Sequence, residues 1–169
     1  KSLNFGCIAA NYVESVSSRR EEGQWVTRAR EMTTGAQFEI RSKLVINACG
    51  PWVDAQNRIE AQQTQYHHLF SKGVHLIVDQ ITDSSRVLTF FASDGRMFFL
   101  IPMGPKTCIG TTDTQVYSPD VEVTDEDRDF LLENTNVLLN LDQPLTRASI
   151  IAERASVRPL AIKGESGEA

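Results

Sequence analysis

The chain has 169 residues, 41% of them hydrophobic, enough for one ordinary domain with a genuine core. Its formal charge of -5 and its scattered basic residues (Arg19-Arg20, Arg28, Arg30, Arg41, Lys43) argue against a nucleic-acid surface, which needs clustered Lys and Arg. No apolar run approaches the roughly 20 residues that cross a bilayer. Cys7, Cys49 and Cys108 are far apart and lack a CxxC spacing. They therefore suggest neither a zinc knuckle nor a redox dithiol but buried free thiols in a reducing cytosol.

The chain opens on Lys1-Ser2-Leu3-Asn4 without a signal-like segment and reads as if cut from something longer. From about Cys7 to Arg20 it is extended in character, with Ile8, Tyr12, Val13 and Val16 at β-favouring positions. Glu21-Glu22-Gly23 predicts a hairpin turn. Trp25 to Arg30 alternates apolar and polar, as a strand with one wet face does. Thr33-Thr34-Gly35 turns the chain again, and Phe38 and Ile40 continue the alternation, which completes a β-meander. Leu44-Val45-Ile46-Asn47-Ala48-Cys49-Gly50 is then continuously apolar in character. That pattern predicts a parallel-type strand, Leu44–Ala48, covered on both faces, with Pro51 opening a short helix from Trp52 to Gln56.

Gln62 to Ser71 is polar and reads as a loop, with His67 and His68 solvated. Adjacent histidines without a third ligand are no metal signature. Strands follow at Val74–Val78, Val87–Ala92, Met97–Ile101 and Thr107–Gly110, separated by turn signals. Phe98 and Phe99 read as core packing. Thr124 is an N-cap, and Asp125-Glu126-Asp127 reads as a helix start and nothing more. The helix is expected to run to about Asn140 with an apolar stripe of Phe130, Leu131, Val137, Leu138 and Leu141. A last extended stretch, Ala148 to Leu160, precedes a Gly- and Glu-rich tail. The expected fold class is α+β (mixed α/β): a meander, one buried parallel-type strand, then a mostly antiparallel sheet with a flanking helix. The expected division is 1–60, 61–160 and a tail, 161–169.

A buried strand ending in small residues brings backbone to the carboxyl edge of a sheet, where open α/β sheets bind ligands. Ala48 and Gly50 equally make a tight strand-to-helix turn. The run Asn47-Ala48-Cys49-Gly50-Pro51-Trp52 resembles the second flavin-contacting motif, NATGPW, of the glycine- and D-amino-acid-oxidase-like flavoproteins, with Cys49 in place of Thr. Four further stretches resemble one branch of these, the FAD-dependent glycerol-3-phosphate dehydrogenases. Lys72-Gly73-Val74-His75 is similar to its KGSH, and Asp94-Gly95-Arg96 through Ile101-Pro102 to its DGRxxFxIP. Ile109-Gly110-Thr111-Thr112-Asp113 matches its IGTTD. Ser156-Val157-Arg158-Pro159-Leu160 is similar to its GVRPL, with Ser for the first Gly. The ordered set covers about the last three quarters of the chain.

The resemblance implies oxidation of sn-glycerol 3-phosphate to dihydroxyacetone phosphate, with electrons passed through FAD to a quinone. It also implies a cytoplasmic parent held peripherally at the inner membrane surface. It places Ala48, Cys49, Gly50 and Trp52 on the cofactor side, and His75, Arg158 and Arg96 on the substrate side. His75 would take the hydroxyl proton, Arg158 would clamp the phosphate with its planar fork, and no metal is implied. Read without the resemblance, His75 is a histidine packed in a strand, Arg158 holds a loop carbonyl, Arg96 and Lys72 face water, and Trp52 caps a turn. Asp113, with Thr111 and Thr112, fixes a loop by accepting backbone amides. The branch's phosphate-binding GxGxxG is absent from these 169 residues. The expectation is therefore that this chain alone is inactive, retains no FAD, and pairs with copies of itself through exposed strand edges. Two alternatives stay open: an FAD-dependent amino-acid or hydroxy-acid oxidase, and a non-catalytic β-rich interaction module.

Overall fold

The computed structural model describes residues 2–163, and the chain forms two compact units, 1–65 and 66–169. In the first unit, strands β1 (Val13–Glu21), β2 (Gln24–Glu31) and β3 (Gln37–Ser42) form an antiparallel sheet in the order β1-β2-β3. Glu22 (φ 47°) and Gly23 (φ 81°) close the first hairpin. Positive φ at both central residues gives the turn a twist matching that of the flanking strands. The wet face expected of Trp25 to Arg30 is present at Arg28 and Arg30 and is interrupted at Val26. Val26 and Ala29, of opposite parity, are both buried, because each face of a middle strand is flanked by side chains of both neighbours.

The expected parallel strand is corrected. Every strand pairing among the described residues is antiparallel, and Leu44 to Cys49 carries no strand ladder. Leu44 and Ile46 are 68% and 79% exposed. A strand exists only where a neighbour answers its N–H and C=O groups, and β3 ends before this run begins. After a 3-10 turn over Gly50–Trp52, α1 spans Val53–Ile59. The thiol expectation also fails for two cysteines, since Cys7 and Cys49 are exposed and only Cys108 is buried.

Among the described residues, the second unit is a six-stranded antiparallel sheet with one α-helix. Its strands are β4 (Tyr66–Asp79), β5 (Leu88–Phe91), β6 (Met97–Met103), β7 (Lys106–Gly110), β8 (Thr114–Val116) and β9 (Ala152–Lys163). β4 is the spine. Along one edge it pairs with β9 from Tyr66↔Lys163 to Ile77↔Ala152. The other edge pairs with β7 over residues 75–79 and with β8 over 70–72. The loop expected over Gln62 to Ser71 is thus strand from Tyr66 onward. Local composition is polar there because the ladder partner, not apolar burial, fixes the conformation. Residues 164–169, most of the expected tail, lie outside the described residues.

Helix α2 (Asp125–Leu138) starts at the expected cap. The Thr124 side chain accepts from the Asp127 N–H, and the Asp127 side chain accepts from the Thr124 N–H, a reciprocal capping box. Its buried face is Leu131, Leu132, Asn134 and Thr135, whereas Val137 is exposed. Leu131 and Leu132 pack on Val74, Leu76, Val78, Phe98, Leu100 and Ile109. Since alternate residues of a strand share a face, this apolar set defines the helix side of the sheet. No helix among the described residues is long and apolar enough to cross a membrane. Overall the described chain is mostly β, two antiparallel sheets with two helices, rather than mixed α/β.

Candidate functional site

The face of β4 turned away from α2 carries Ser71, Gly73 and His75. Directly opposite them on β9 stand Arg158, Ser156 and Arg154. Residues opposed in an antiparallel pair share a face, so the two arginines and the histidine belong to one polar surface on an apolar sheet. Two glycines make room for it. A Cβ on Gly73 would stand 2.6 Å from Thr111 Oγ1 and 3.3 Å from Arg158 Nη2. On Gly110 it would stand 2.4 Å from His75 Cδ2. The 2.6 Å and 2.4 Å approaches are closer than any real Cβ contact, so Gly73 leaves room for Thr111 beside the guanidinium and Gly110 leaves room for the imidazole.

Between β7 and β8 the ladder to β4 is interrupted by Thr111 to Asp113. Thr112 Oγ1 takes the place of a backbone acceptor, receiving the Val74 N–H at 3.0 Å. The same loop cradles Arg158. Its Nη2 donates to Ser71 Oγ at 2.9 Å and to the Thr112 carbonyl at 3.0 Å, with Asp113 Oδ1 at 3.4 Å. Ser71 in turn donates to Asp113 Oδ1. His75 is half-buried. Burial first, then the nearby positive charges of Arg154 and Arg158, hold its imidazole below the ordinary 6.5, so at pH 7 it is neutral and able to accept a proton. Arg154 Nη2 rests against the Cys108 sulfur at 3.6 Å.

Arg96 is not brought into this group. Its guanidinium lies 4.6 Å from the centroid of the Phe130 ring of α2, a cation–π contact, and Nε donates to Asp94 Oδ2 at 2.6 Å. Its link to the polar face is indirect, through Nη1 to the Asp113 carbonyl at 2.7 Å. Lys72 does not face water either. It points to the helix side, where Nζ meets Asp127 Oδ2 at 2.5 Å with both side chains buried. The Asp125 to Asp127 cluster is therefore more than a helix start, because Asp127 both caps α2 and neutralises a buried lysine. Asp113 accepts from side chains rather than from backbone amides. Ser71, Arg154 and the pairing of Asp127 with Lys72 were missed in the sequence. Of these, only Ser71 had a signal, its even spacing from Gly73 and His75, which the loop assignment hid.

In the first unit, Asn47 organises the turn before α1. Its Nδ2 donates to the Val53 carbonyl and to Asn57 Oδ1, each at 2.9 Å, and its Oδ1 accepts the Cys49 N–H at 3.2 Å. Gly50 has φ +54° and nothing within 4 Å of where its Cβ would be. Ala48, Cys49 and Gly50 thus offer bare, pre-shaped backbone, and Trp52 is 56% exposed beside it. Those features fit a flat cofactor ring approached through backbone, with Cys49 side-chain chemistry not required. None of the residues described there is suited to hold a pyrophosphate. No group of three or more His, Cys, Asp or Glu arranged for a metal occurs among the described residues.

Residues 5–167 match the family of FAD dependent oxidoreductases. The chain is 32% identical over 165 residues to the aerobic glycerol-3-phosphate dehydrogenase of Bacillus subtilis (strain 168), covering 95% of this chain and 29% of that protein. It is 37% identical over 170 residues to an alpha-glycerophosphate oxidase of Streptococcus pneumoniae, covering 95% and 28%. The crystal structure of the glycerol-3-phosphate dehydrogenase from Bacillus halodurans complexed with FAD superposes with a TM-score of 0.85 at 35% identity, covering 97% of this chain and 34% of that one. The chain therefore spans about three tenths of the length of these relatives. Matched over nearly its whole length, and folded like one of them, the chain belongs to the FAD dependent oxidoreductase family.

Proposed function

We propose that this chain is the substrate-side segment of an enzyme that oxidises sn-glycerol 3-phosphate to dihydroxyacetone phosphate and passes the electrons to a quinone. The observation that carries this reading is the neutral His75, given room by Gly110, and the cradled Arg158 on one sheet face. The glycerol phosphate named in its relatives supports the choice of substrate.

Oxidation at C2 removes a hydride from carbon and a proton from the hydroxyl, leaving a carbonyl. FAD, where bound, supplies the hydride acceptor, and Ala48, Cys49, Gly50 and Trp52 are the residues here that would meet its ring. His75 takes the hydroxyl proton. An imidazolium beside two guanidiniums is disfavoured, but a phosphate dianion on Arg158 offsets that repulsion, so the substrate's own charge prepares its base. Arg158 engages the protein only through Nη2 among the described residues, which leaves Nε and Nη1 as separate donors for phosphate oxygens.

The test is steady-state kinetics of the intact, flavin-loaded enzyme. Arg158→Lys keeps the charge but loses the planar set of donors, and a lost charge-assisted hydrogen bond of about 1.5–3 kcal/mol predicts a fall in kcat/KM of about one to two decades. His75→Ala should lose mainly kcat and flatten the acidic limb of the kcat/KM profile, which reports the free enzyme and lies below the ordinary 6.5 because the imidazole is shifted down. Unchanged kinetics in Arg158→Lys at full flavin content would make the arginine structural. Preference for a hydroxy or amino acid over the phosphate ester would favour the oxidase alternative. Turnover with a quinone analogue against dioxygen decides the acceptor.

A further inference from the structure

The three contacts of Arg158 Nη2 are not equivalent, and their chemistry ranks them. Ser71 Oγ has a single proton, and it is donated to Asp113 Oδ1. The lone pairs of the hydroxyl are thereby turned toward Nη2, which donates to them at 2.9 Å. Asp113 itself is farther from Nη2, at 3.4 Å, so it acts on the arginine chiefly through the serine. Its loop is held from the other side of the sheet, because Arg96, fixed by Asp94 and stacked on Phe130, donates to the Asp113 carbonyl at 2.7 Å. Ser71 is buried while Asp113 is open to solvent. An exposed carboxylate facing an arginine is worth little as an ion pair, yet one that fixes a buried hydroxyl determines where that hydroxyl can accept.

We propose that Asp113 is a positioning residue which, through Ser71, pins Arg158 by one nitrogen and so fixes the plane in which its free Nε and Nη1 donors meet an oxyanion. The proposal rests on the reading of Arg158 as the anion-binding residue. An arginine retains much rotamer freedom unless its head is tied. Tying it at a single nitrogen leaves the remaining Nε and Nη1 donors in a fixed plane, each able to offer one charge-assisted hydrogen bond to an oxyanion. In this arrangement the carboxylate need not carry charge, only an acceptor oxygen at the same place, so Asn is a fit replacement and Ala is not.

Four variants of the intact flavin-loaded enzyme separate these roles: Asp113→Ala, Asp113→Asn, Ser71→Ala and Arg158→Lys, with Asp113→Ala also combined with Arg158→Lys. The probe is inorganic phosphate as a competitive inhibitor, read beside KM and kcat for glycerol 3-phosphate and beside flavin content. Asp113→Ala and Ser71→Ala should each raise the phosphate Ki by about tenfold, as expected for a displaced charge-assisted hydrogen bond, with kcat changed far less. Asp113→Asn should stay within about threefold of wild type, and the double variant should be no worse than Arg158→Lys alone, since both act on one contact. A phosphate Ki unmoved in Ser71→Ala and Asp113→Ala, while Arg158→Lys weakens it, overturns this proposal alone. So does a double variant whose losses multiply. If Arg158→Lys leaves phosphate inhibition and turnover untouched, the substrate-site reading itself fails. Should Asp113→Ala lose its flavin, Ser71→Ala against Asp113→Asn still decides, because a purely structural Asp113 would leave Ki unaltered in the serine variant.

Discussion

The two units solve the problem of holding β-structure in different ways. The first fully buries two hydrophobic residues, Val26 and Ala29, among those described, and its turns are tied by polar groups. Glu31 accepts from the backbone and hydroxyls of Thr33 and Thr34, Arg19 and Arg30 pair across the sheet with Glu39 and Glu14, and Asn47 staples the approach to α1. The second unit packs an apolar layer between sheet and helix and then ties its one buried lysine to a capping aspartate. Surface ties shape loops but add little to stability, whereas a two-layer core supplies the rigidity on which a polar face can be built. The candidate substrate residues stand on the second kind of frame and the candidate cofactor turn on the first.

If that contrast is right, the first unit should shape a flavin contact without capturing the cofactor. The 169-residue chain, purified alone, is expected to show no stoichiometric flavin absorbance, because no GxGxxG loop is present to seat the pyrophosphate on helix amides. A yellow protein would show that the Asn47–Trp52 turn suffices, and the contrast would lose its functional half. The next largest effect belongs to the second unit. Asp127→Ala leaves Lys72 buried and uncompensated, with the side chains 6% and 8% exposed in the native pair. A loss of about 3–5 kcal/mol is expected, read as a denaturant midpoint. Lys72→Met should be milder, since Asp127 keeps the N–H and O–H of Thr124. Equal, small losses in both would mean that this unit too is held by surface-like ties.

The smallest effect sharpens the comparison from the other side. The Thr33 and Thr34 hydrogen bonds lower the Glu31 pKa from 4.5 to about 2. A depressed carboxylate stabilises the fold above its unfolded value, and that contribution disappears as pH falls from 4.5 toward 2. Wild type and Glu31→Gln should therefore differ in urea midpoint at pH 6 and converge by about pH 2. A gap that persists at pH 2 would mean that shape rather than charge at residue 31 is what matters.

Much of the second unit was legible in the sequence because its signals are local. Thr124 and Asp127 announce a helix start by type and spacing alone, and the strand at Met97 is bounded by Asp94-Gly95. His75 and Arg158 were singled out by motif, and the structure places them on one face. What stayed hidden depends on partners remote in the chain. Tyr66 to Ser71 becomes strand only through β9, and Lys72 finds Asp127 on an element 55 residues away. Leu44 to Ala48 failed for the converse reason. Its apolar run satisfies the pattern for a buried strand, yet periodicity cannot report whether a neighbouring strand lies alongside to answer its backbone.

The long pairing of β4 with β9 also sets an order of events. Ser71 and Arg158 are 87 residues apart, so the loop closed by their meeting carries a large entropic penalty before any contact is made. Sheets dominated by such distant pairings form slowly. During synthesis the spine strand leaves the ribosome with one edge unanswered until β9 follows, and an unanswered edge beside Val74, Leu76 and Val78 is a place where other chains can add. Arg158 and Arg154 arrive on that last described strand. The polar face is thus completed only when the edge is sealed, and a half-made chain presents an aggregation risk before it can present the proposed anion site.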